Sequence, residues 1–321
     1  MTTLGPYRLL RVLGRGSMGA VHLAIDSRTQ QPLALKVLSL GQGLSEDEYT
    51  LARERFLAEA QTAQRLSHPD IVAIHGAGEQ DGQAWLAMEL LGGCELGRYT
   101  RMPRLLPEAV VLGLGERLAR ALAHAHALGV VHRDIKPGNV MLDLPAGRLK
   151  LMDFGVAGLA DLSRTRTGVV LGTPLYMAPE QLAGAAADAR SDIYSLGVLL
   201  FELLSGRLPH ENASLGELLR TVAREPAPDL RTLRPDLPAP VAAVPPAFSA
   251  AEFASTPTIA RPSISGRPRF SRSFGVTLPS FMPPQRSPPP ALFGRPFGCA
   301  KPGLICSICF RSSSSCFRCA S

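Results

Sequence analysis

Cysteine is scarce in the first three quarters of the chain, and acidic residues are scarce in the rest. Cys94 is the one cysteine of the first 240 residues, while Cys299, Cys306, Cys309, Cys316 and Cys319 crowd the end of the 321-residue chain. A single thiol cannot build an internal disulfide framework, so the first part fits a reducing compartment. The opening Met-Thr-Thr-Leu-Gly-Pro-Tyr lacks a basic start followed by an apolar run, which argues against a secretory signal. Long hydrophobic runs are missing too. The most apolar stretch, 112–131, is broken by Glu116, Arg117, Arg120 and two histidines, so no membrane span is expected. These absences predict a soluble, cytoplasmic protein. No internal repeat is visible.

From Val241 to Ser321 there are eight arginines, one lysine and a single acidic residue, Glu252. The net charge of +7 therefore belongs to the tail, and the first 240 residues are close to neutral. Sixteen of the 28 prolines fall from Pro235 onward, so 245–321 has the composition of a disordered or linker segment. Its basic charge lacks interleaved aromatic platforms, and no specific nucleic-acid partner is expected. Cys306-Ser-Ile-Cys309 and Cys316-Phe-Arg-Cys319 have paired zinc-ligand spacing, but no strand pattern surrounds them, and they are read as adventitious thiols.

The remaining sequence can bury a substantial core, with 45% hydrophobic residues overall. Tyr7–Leu13, Ala20–Asp26 and Pro32–Leu38 read as short strands separated by Gly-rich and polar turns, hence an antiparallel sheet. Ser45–Leu66 reads as an amphipathic helix stopped by Ser67-His68-Pro69. Pro107–Leu128 has helical apolar spacing, and Ser191–Leu204 reads as an apolar helix opened by Ser-Asp. The expectation is an α+β chain in two lobes, a small one built on an antiparallel sheet and a large one that is mainly helical.

Gly14-Arg-Gly16-Ser-Met-Gly19-Ala-Val21 lies between two of the predicted strands, where glycines let backbone N–H groups approach phosphate oxygens without a Cβ in the way. A hairpin that merely turns explains the isolated motif about as well. A dinucleotide fingerprint is disfavoured because Val21-His-Leu-Ala continues as strand, not helix. Lys36 ends the apolar Leu33-Ala-Leu, where an ammonium could neutralise α- and β-phosphates. Glu59, on the following helix, could hold that lysine in place, although a solvated helix face is an even alternative. The strongest signal is His132-Arg133-Asp134-Ile135-Lys136-Pro137-Gly138-Asn139 followed by Asp153-Phe154-Gly155. Six fixed residue types at these spacings arise by chance with a probability on the order of 10⁻⁵ or below.

With these motifs the chain resembles a Hanks-type serine/threonine protein kinase, most similar to the bacterial members, over 7–244. The resemblance implies a bilobal protein-kinase fold with a small lobe over about 7–91 and a large lobe over about 92–244. It implies MgATP as phosphate donor, manganese as an alternative ion, protein substrates, and self-association for autophosphorylation. Carried over residue by residue, Gly14, Gly16, Gly19 and Val21 cover the nucleotide, and Lys36 and Glu59 form an ion pair. Asp134 takes the proton of the substrate hydroxyl, Lys136 steadies the γ-phosphate, and Asn139 and Asp153 hold magnesium. Lys136 in this place favours Ser/Thr over Tyr substrates. Met88 is the implied gatekeeper, with ordinary core packing an equal alternative, and the backbones of Glu89 and Leu91 would reach the adenine edge. Thr165 and Thr167 become the autophosphorylation sites, with Arg133 to receive the phosphate, and Thr173 belongs to the substrate-docking surface. Asp192, in Ser191-Asp192-Ile-Tyr-Ser-Leu-Gly, would hydrogen-bond the catalytic-loop backbone, with mere capping of its helix as the plainer alternative.

The pattern fails at the end. Leu237–Val244 looks like the entrance to a helix that Pro245-Pro246 stops, and nothing downstream resembles the last two helices or the arginine that pairs with the equivalent of Glu180; Arg261-Pro262 has the dipeptide without the helix. The change is read as a frameshifted or replaced C-terminus in preference to a purposeful low-complexity tail. Each missing Leu- or Ile-sized contact would cost about 1.5 to 3 kcal/mol, against a net stability of about 5 to 15 kcal/mol. A catalytically impaired nucleotide-binding or regulatory module is therefore the alternative to an active kinase.

Overall fold

The structure is a computed structural model in which residues 2–16, 19–39, 45–154, 174–211 and 214–242 are described, all within one compact unit. Gly155, Thr165, Thr167, Thr173 and the tail from 245 lie outside the described residues.

Six antiparallel strands form the first sheet, in the order β1-β2-β3-β4-β6-β5. They are β1 Thr3–Leu4, β2 Tyr7–Gly16, β3 Gly19–Asp26, β4 Pro32–Ser39, β5 Ile74–Gln80 and β6 Gln83–Met88. The sequence reading ended β2 at Leu13, but the strand runs on to Gly16, which pairs with Gly19 across the hairpin. Alternation places Leu33 and Leu35 of β4 in one buried cluster with Tyr7, Ala24 and Ala87, while Leu38 joins Phe56 and Leu86 in another. Helix α1, Glu46–Ala63, supplies that second cluster. Ser45 caps it: its side chain accepts from Glu48 N, and the Glu48 carboxylate accepts from Ser45 N at 2.8 Å. Glu46, Asp47 and Glu48 add negative charge where the first-turn N–H groups are unpaired. Ala52, Phe56, Ala60 and Ala63 form its single buried stripe.

The larger part is built on helices. α2, Glu108–Ala127, buries Val111, Leu114, Leu118, Ala121, Leu122 and Ala125 against α4, Ala189–Ser205. A second sheet of β7 Cys94–Glu95, β8 Val140–Asp143 and β9 Arg148–Leu151 lies beside them. The sequence reading opened α4 at Ser191, but the helix begins two residues earlier, at Ala189. Asp188 is its cap, accepting from Arg190 N at 2.8 Å, and Gly206 closes it with φ 77°. Asp192 is thus freed from capping and buried. Single turns α3 Pro179–Leu182, α6 Leu230–Leu233 and α7 Ala239–Ala242 and the surface helix α5 Leu215–Arg224 complete the described chain. α7 is the entrance anticipated at Leu237, and Ala242 joins the main core. No helix of the described residues is long and apolar enough to cross a membrane.

Candidate active site

The floor of the cleft is the loop between α2 and β8, anchored from below. Asp192 accepts from His132 N at 2.8 Å and from Arg133 N at 2.7 Å, and its carboxylate also meets His126 Nε2 at 2.7 Å. Those backbone bonds hold Arg133 at φ 69°, a conformation that a non-glycine residue keeps only when its surroundings impose it. His132 is buried, its Nε2 facing the Met152 carbonyl at 2.7 Å and its Nδ1 accepting from Asp134 N at 3.3 Å. The carbonyl needs a donor and the N–H an acceptor, which fixes the ring as the Nε2–H tautomer. Phe154 packs edge-on against that ring, centroids 4.5 Å apart, inside the main core.

Three side chains meet on this floor. Lys136 Nζ donates to Asp134 Oδ2 at 2.7 Å, and Asn139 Nδ2 donates to the same oxygen at 2.9 Å and to the Asp134 carbonyl at 2.7 Å. One carboxylate is thereby oriented by an ammonium and an amide. Asp153 follows β9 at φ 63° and faces Lys36, whose Nζ donates to Asp153 Oδ1 at 2.7 Å. Burial pushes the Asp153 carboxyl up, but the Lys36 ammonium, followed by Lys136, outweighs it and holds the carboxyl below its usual range. Among the described residues the ion pair at Lys36 is with Asp153, not with Glu59 as anticipated, and Glu59 lies half-buried on α1. The pairing follows from reach, since β4 and the segment after β9 face each other across the cleft.

The roof is the β2–β3 hairpin. Val21 pairs with Gly14 on one side and with Lys36 on the other. Gly19 has φ +147°, and a Cβ there would lie 2.0 Å from the Val37 carbonyl, so this position needs glycine for close approach. Gly16 stands in open space at the tip. Between roof and floor Ala34, Val72 and Met88 form a buried apolar cluster with Leu13, Val21, Leu91 and Met152 packed against it. Met88 is therefore a core residue whatever else it does. Met152 escaped the sequence reading, and Leu13 and Ala34 are read there only as strand residues, since an apolar residue carries no sign of a site until the fold collects it with others.

Two other features went unread. Glu95 on β7 is a half-buried acid whose carboxyl is raised by burial and then by the Asp153 carboxylate, with Lys136 opposing. Glu180 accepts the Ser191 hydroxyl. It lies by Tyr194, whose phenol is pushed up to about 12 by burial and then by Glu180.

Chemically, the arrangement offers a positive charge from the roof, an oriented carboxylate on the floor and two oxygen-bearing side chains, Asn139 and Asp153, beside it. No group of three or more His, Cys, Asp or Glu among the described residues could hold a metal ion alone. That donor set suits magnesium, which keeps waters and is completed by substrate phosphates instead of being caged by protein. The residues fit the group.

Comparison with known proteins identifies the family. The protein kinase domain family matches residues 7–238, and the chain belongs to that family. Serine/threonine-protein kinase PknA of Mycobacterium tuberculosis is 41% identical over 244 residues, covering 74% of this chain and 55% of the relative. PrkC of Bacillus subtilis, also named a serine/threonine-protein kinase, is 38% identical over 235 residues, 73% of this chain and 36% of the relative. The chain thus spans about half or less of the length of these relatives. Among solved structures, the PknI kinase domain of M. tuberculosis superposes with a TM-score of 0.59 at 33% identity, covering 79% of this chain and 95% of that one. The fold is the bilobal protein-kinase fold.

Proposed function

We propose that the chain is a protein serine/threonine kinase that moves the γ-phosphate of MgATP to Ser or Thr hydroxyls of proteins, its own activation segment included. The observation that carries this reading is the convergence of Lys136 and Asn139 on one oxygen of Asp134, with Asp153 set across from Lys36. In the reaction the substrate hydroxyl oxygen bonds the γ-phosphorus, the bond to the β–γ bridging oxygen breaks, ADP leaves, and Asp134 accepts the hydroxyl proton. Lys136 steadies the γ-phosphate, and Lys36, positioned by Glu59 when α1 swings inward, serves the α- and β-phosphates. Asn139 and Asp153 would hold magnesium, or manganese in its place, which neutralises phosphate charge. Gly14, Gly16, Gly19 and Val21 would cover the nucleotide, and the backbones of Glu89 and Leu91 would read adenine past Met88.

The kinase domain is taken as 7–244, with the lobes meeting near 91. Thr165 and Thr167 are the proposed autophosphorylation sites, modified between two associated copies in the cytoplasm. Support for serine and threonine as acceptors comes from Lys136 and from the names of the relatives. The test is incubation of the purified chain with labelled MgATP and a generic basic protein, beside Asp134→Asn. Label that depends on Asp134 is the expected result. A folded chain that binds MgATP and transfers nothing would establish the impaired-module alternative.

A further inference from the structure

Behind the segment that joins β6 to β7, a lysine gathers three pieces of chain. Lys150 Nζ, on β9, lies 2.6 Å from the Glu89 carboxylate and donates to the Ile71 carbonyl at 3.1 Å. Glu89 is itself clamped to Ala73: its N–H donates to the Ala73 carbonyl at 2.9 Å, and its carboxylate accepts from Ala73 N at 2.8 Å. Ladder bonds run alongside, from Leu151 N to the Asp70 carbonyl at 2.8 Å and from Val72 N to the Leu151 carbonyl at 3.0 Å. Both ends of the Lys150–Glu89 pair are largely shielded, with side-chain exposures of 19% and 27%. Water therefore screens this charge-assisted bond less than it would an exposed pair.

The location gives the pair its meaning. Glu89 directly follows Met88, and Leu91 two residues on packs with Met88 and Met152 in the apolar cluster of the cleft. Lys150 stands three residues before Asp153 on the same run of chain. One strand therefore ties down the Glu89 segment with its ammonium and presents the carboxylate facing Lys36 at its end. Nothing in the phosphate chemistry uses Lys150, and the segment it holds follows Met88 at what would be the base end of the nucleotide.

We propose that Lys150 is a positioning residue for base selection: by holding Glu89 and Ile71 it fixes the backbone that distinguishes adenine from guanine. This rests on the kinase reading. Adenine presents a donor and an acceptor at the edge where guanine presents an acceptor and a donor. A rigid backbone rejects the wrong pattern, because polar groups would be left unpaired, whereas a loosened one tolerates both.

The test is calorimetric titration of the full chain with MgADP and, separately, MgGDP, which needs no turnover. Lys150→Met is expected to weaken MgADP about 10-fold while changing MgGDP less than about 3-fold, so the preference for adenine narrows. Lys150→Arg, which keeps charge and donors, should restore the wild-type ratio. If Lys150→Met does not fold, Glu89→Gln carries the same test, since it keeps an acceptor for Ala73 N–H and drops the charge. A Lys150→Met protein that melts early yet keeps the wild-type ratio overturns the proposal. A wild-type chain that binds neither nucleotide removes the kinase reading itself, and the proposal with it.

Discussion

The floor and the roof of the cleft are held by different kinds of structure. Below, α4 is buried along nearly its whole length, including Ser191, Asp192, Ser195 and Glu202, and each of these polar groups has a partner. Above, α1 is one residue longer, 18 against 17, yet buries one stripe, three alanines and Phe56. Satisfied polar networks in a low-dielectric core are rigid because breaking one bond strands the others. Elements with few buried contacts open at lower free energy. The difference teaches that the loop whose geometry must stay fixed is anchored on α4, while the helix that carries Glu59 is held by fewer buried contacts.

The sharpest way to break this comparison is to cut the floor's anchor. Asp192→Ala strands the His132 and Arg133 N–H groups and removes what imposes φ 69° on Arg133. A loss of about 3–5 kcal/mol is expected by urea denaturation, with no phosphate transfer remaining. Wild-type stability in this variant would show that α4 is not the anchor.

Two phenylalanines, both 1% exposed, permit a matched pair of cuts. Phe201→Ala, on α4, should lower the whole unfolding transition by about 3–5 kcal/mol. Phe56→Ala, on α1, should cost less globally, because its deficit is relieved by local opening. Hydrogen exchange that speeds up across α1 while α4 stays protected is the expected signature. Uniform loss of protection in both variants would erase the distinction.

A smaller effect is expected at the hairpin. Gly19→Ala puts a Cβ against the Val37 carbonyl, and the backbone of β3 or β4 has to shift. About 1–3 kcal/mol of overpacking strain follows, and MgADP should bind about 10-fold more weakly because the roof is displaced. Titration calorimetry and a melting curve on the same sample separate the two consequences.

Legibility in the sequence follows the same division. The hairpin, Lys36 and the Asp134–Asn139 loop are read from short motifs because each depends on local spacing. The ends of α2 are legible too, since Pro107 and Leu128 bracket Glu108–Ala127 as anticipated. What hid from the sequence depends on contacts far apart in the chain. Lys150 and Glu89 are 61 positions apart by their numbering, and no local pattern links them. The choice of Lys36 between Glu59 and Asp153 depends on where α1 sits relative to the sheet, which spacing does not encode. The cap of α4 was misplaced because Asp188 and Ser191 both have capping chemistry, and only the fold shows that Ser191 closes the box from inside the helix.

The last and smallest effect tests the electrostatics of the floor side of the cleft. Burial and the Asp153 carboxylate raise the Glu95 carboxyl in the folded state, Lys136 opposing. For an acid whose folded value lies above its unfolded one, the folded chain holds the proton more tightly. Stability is then unaffected below the unfolded value, about 4.3, falls as pH rises towards the folded value, and stays reduced beyond it. Glu95→Gln removes the ionisation and should melt at a higher temperature than wild type at pH 7. The gain should shrink as pH falls and vanish below about 4. An advantage that persists undiminished at low pH would assign it to packing, and the cleft would then carry no electrostatic strain at Glu95. A gain confined to neutral pH would mean that the site accepts a cost in stability to keep a second carboxylate close to Asp153.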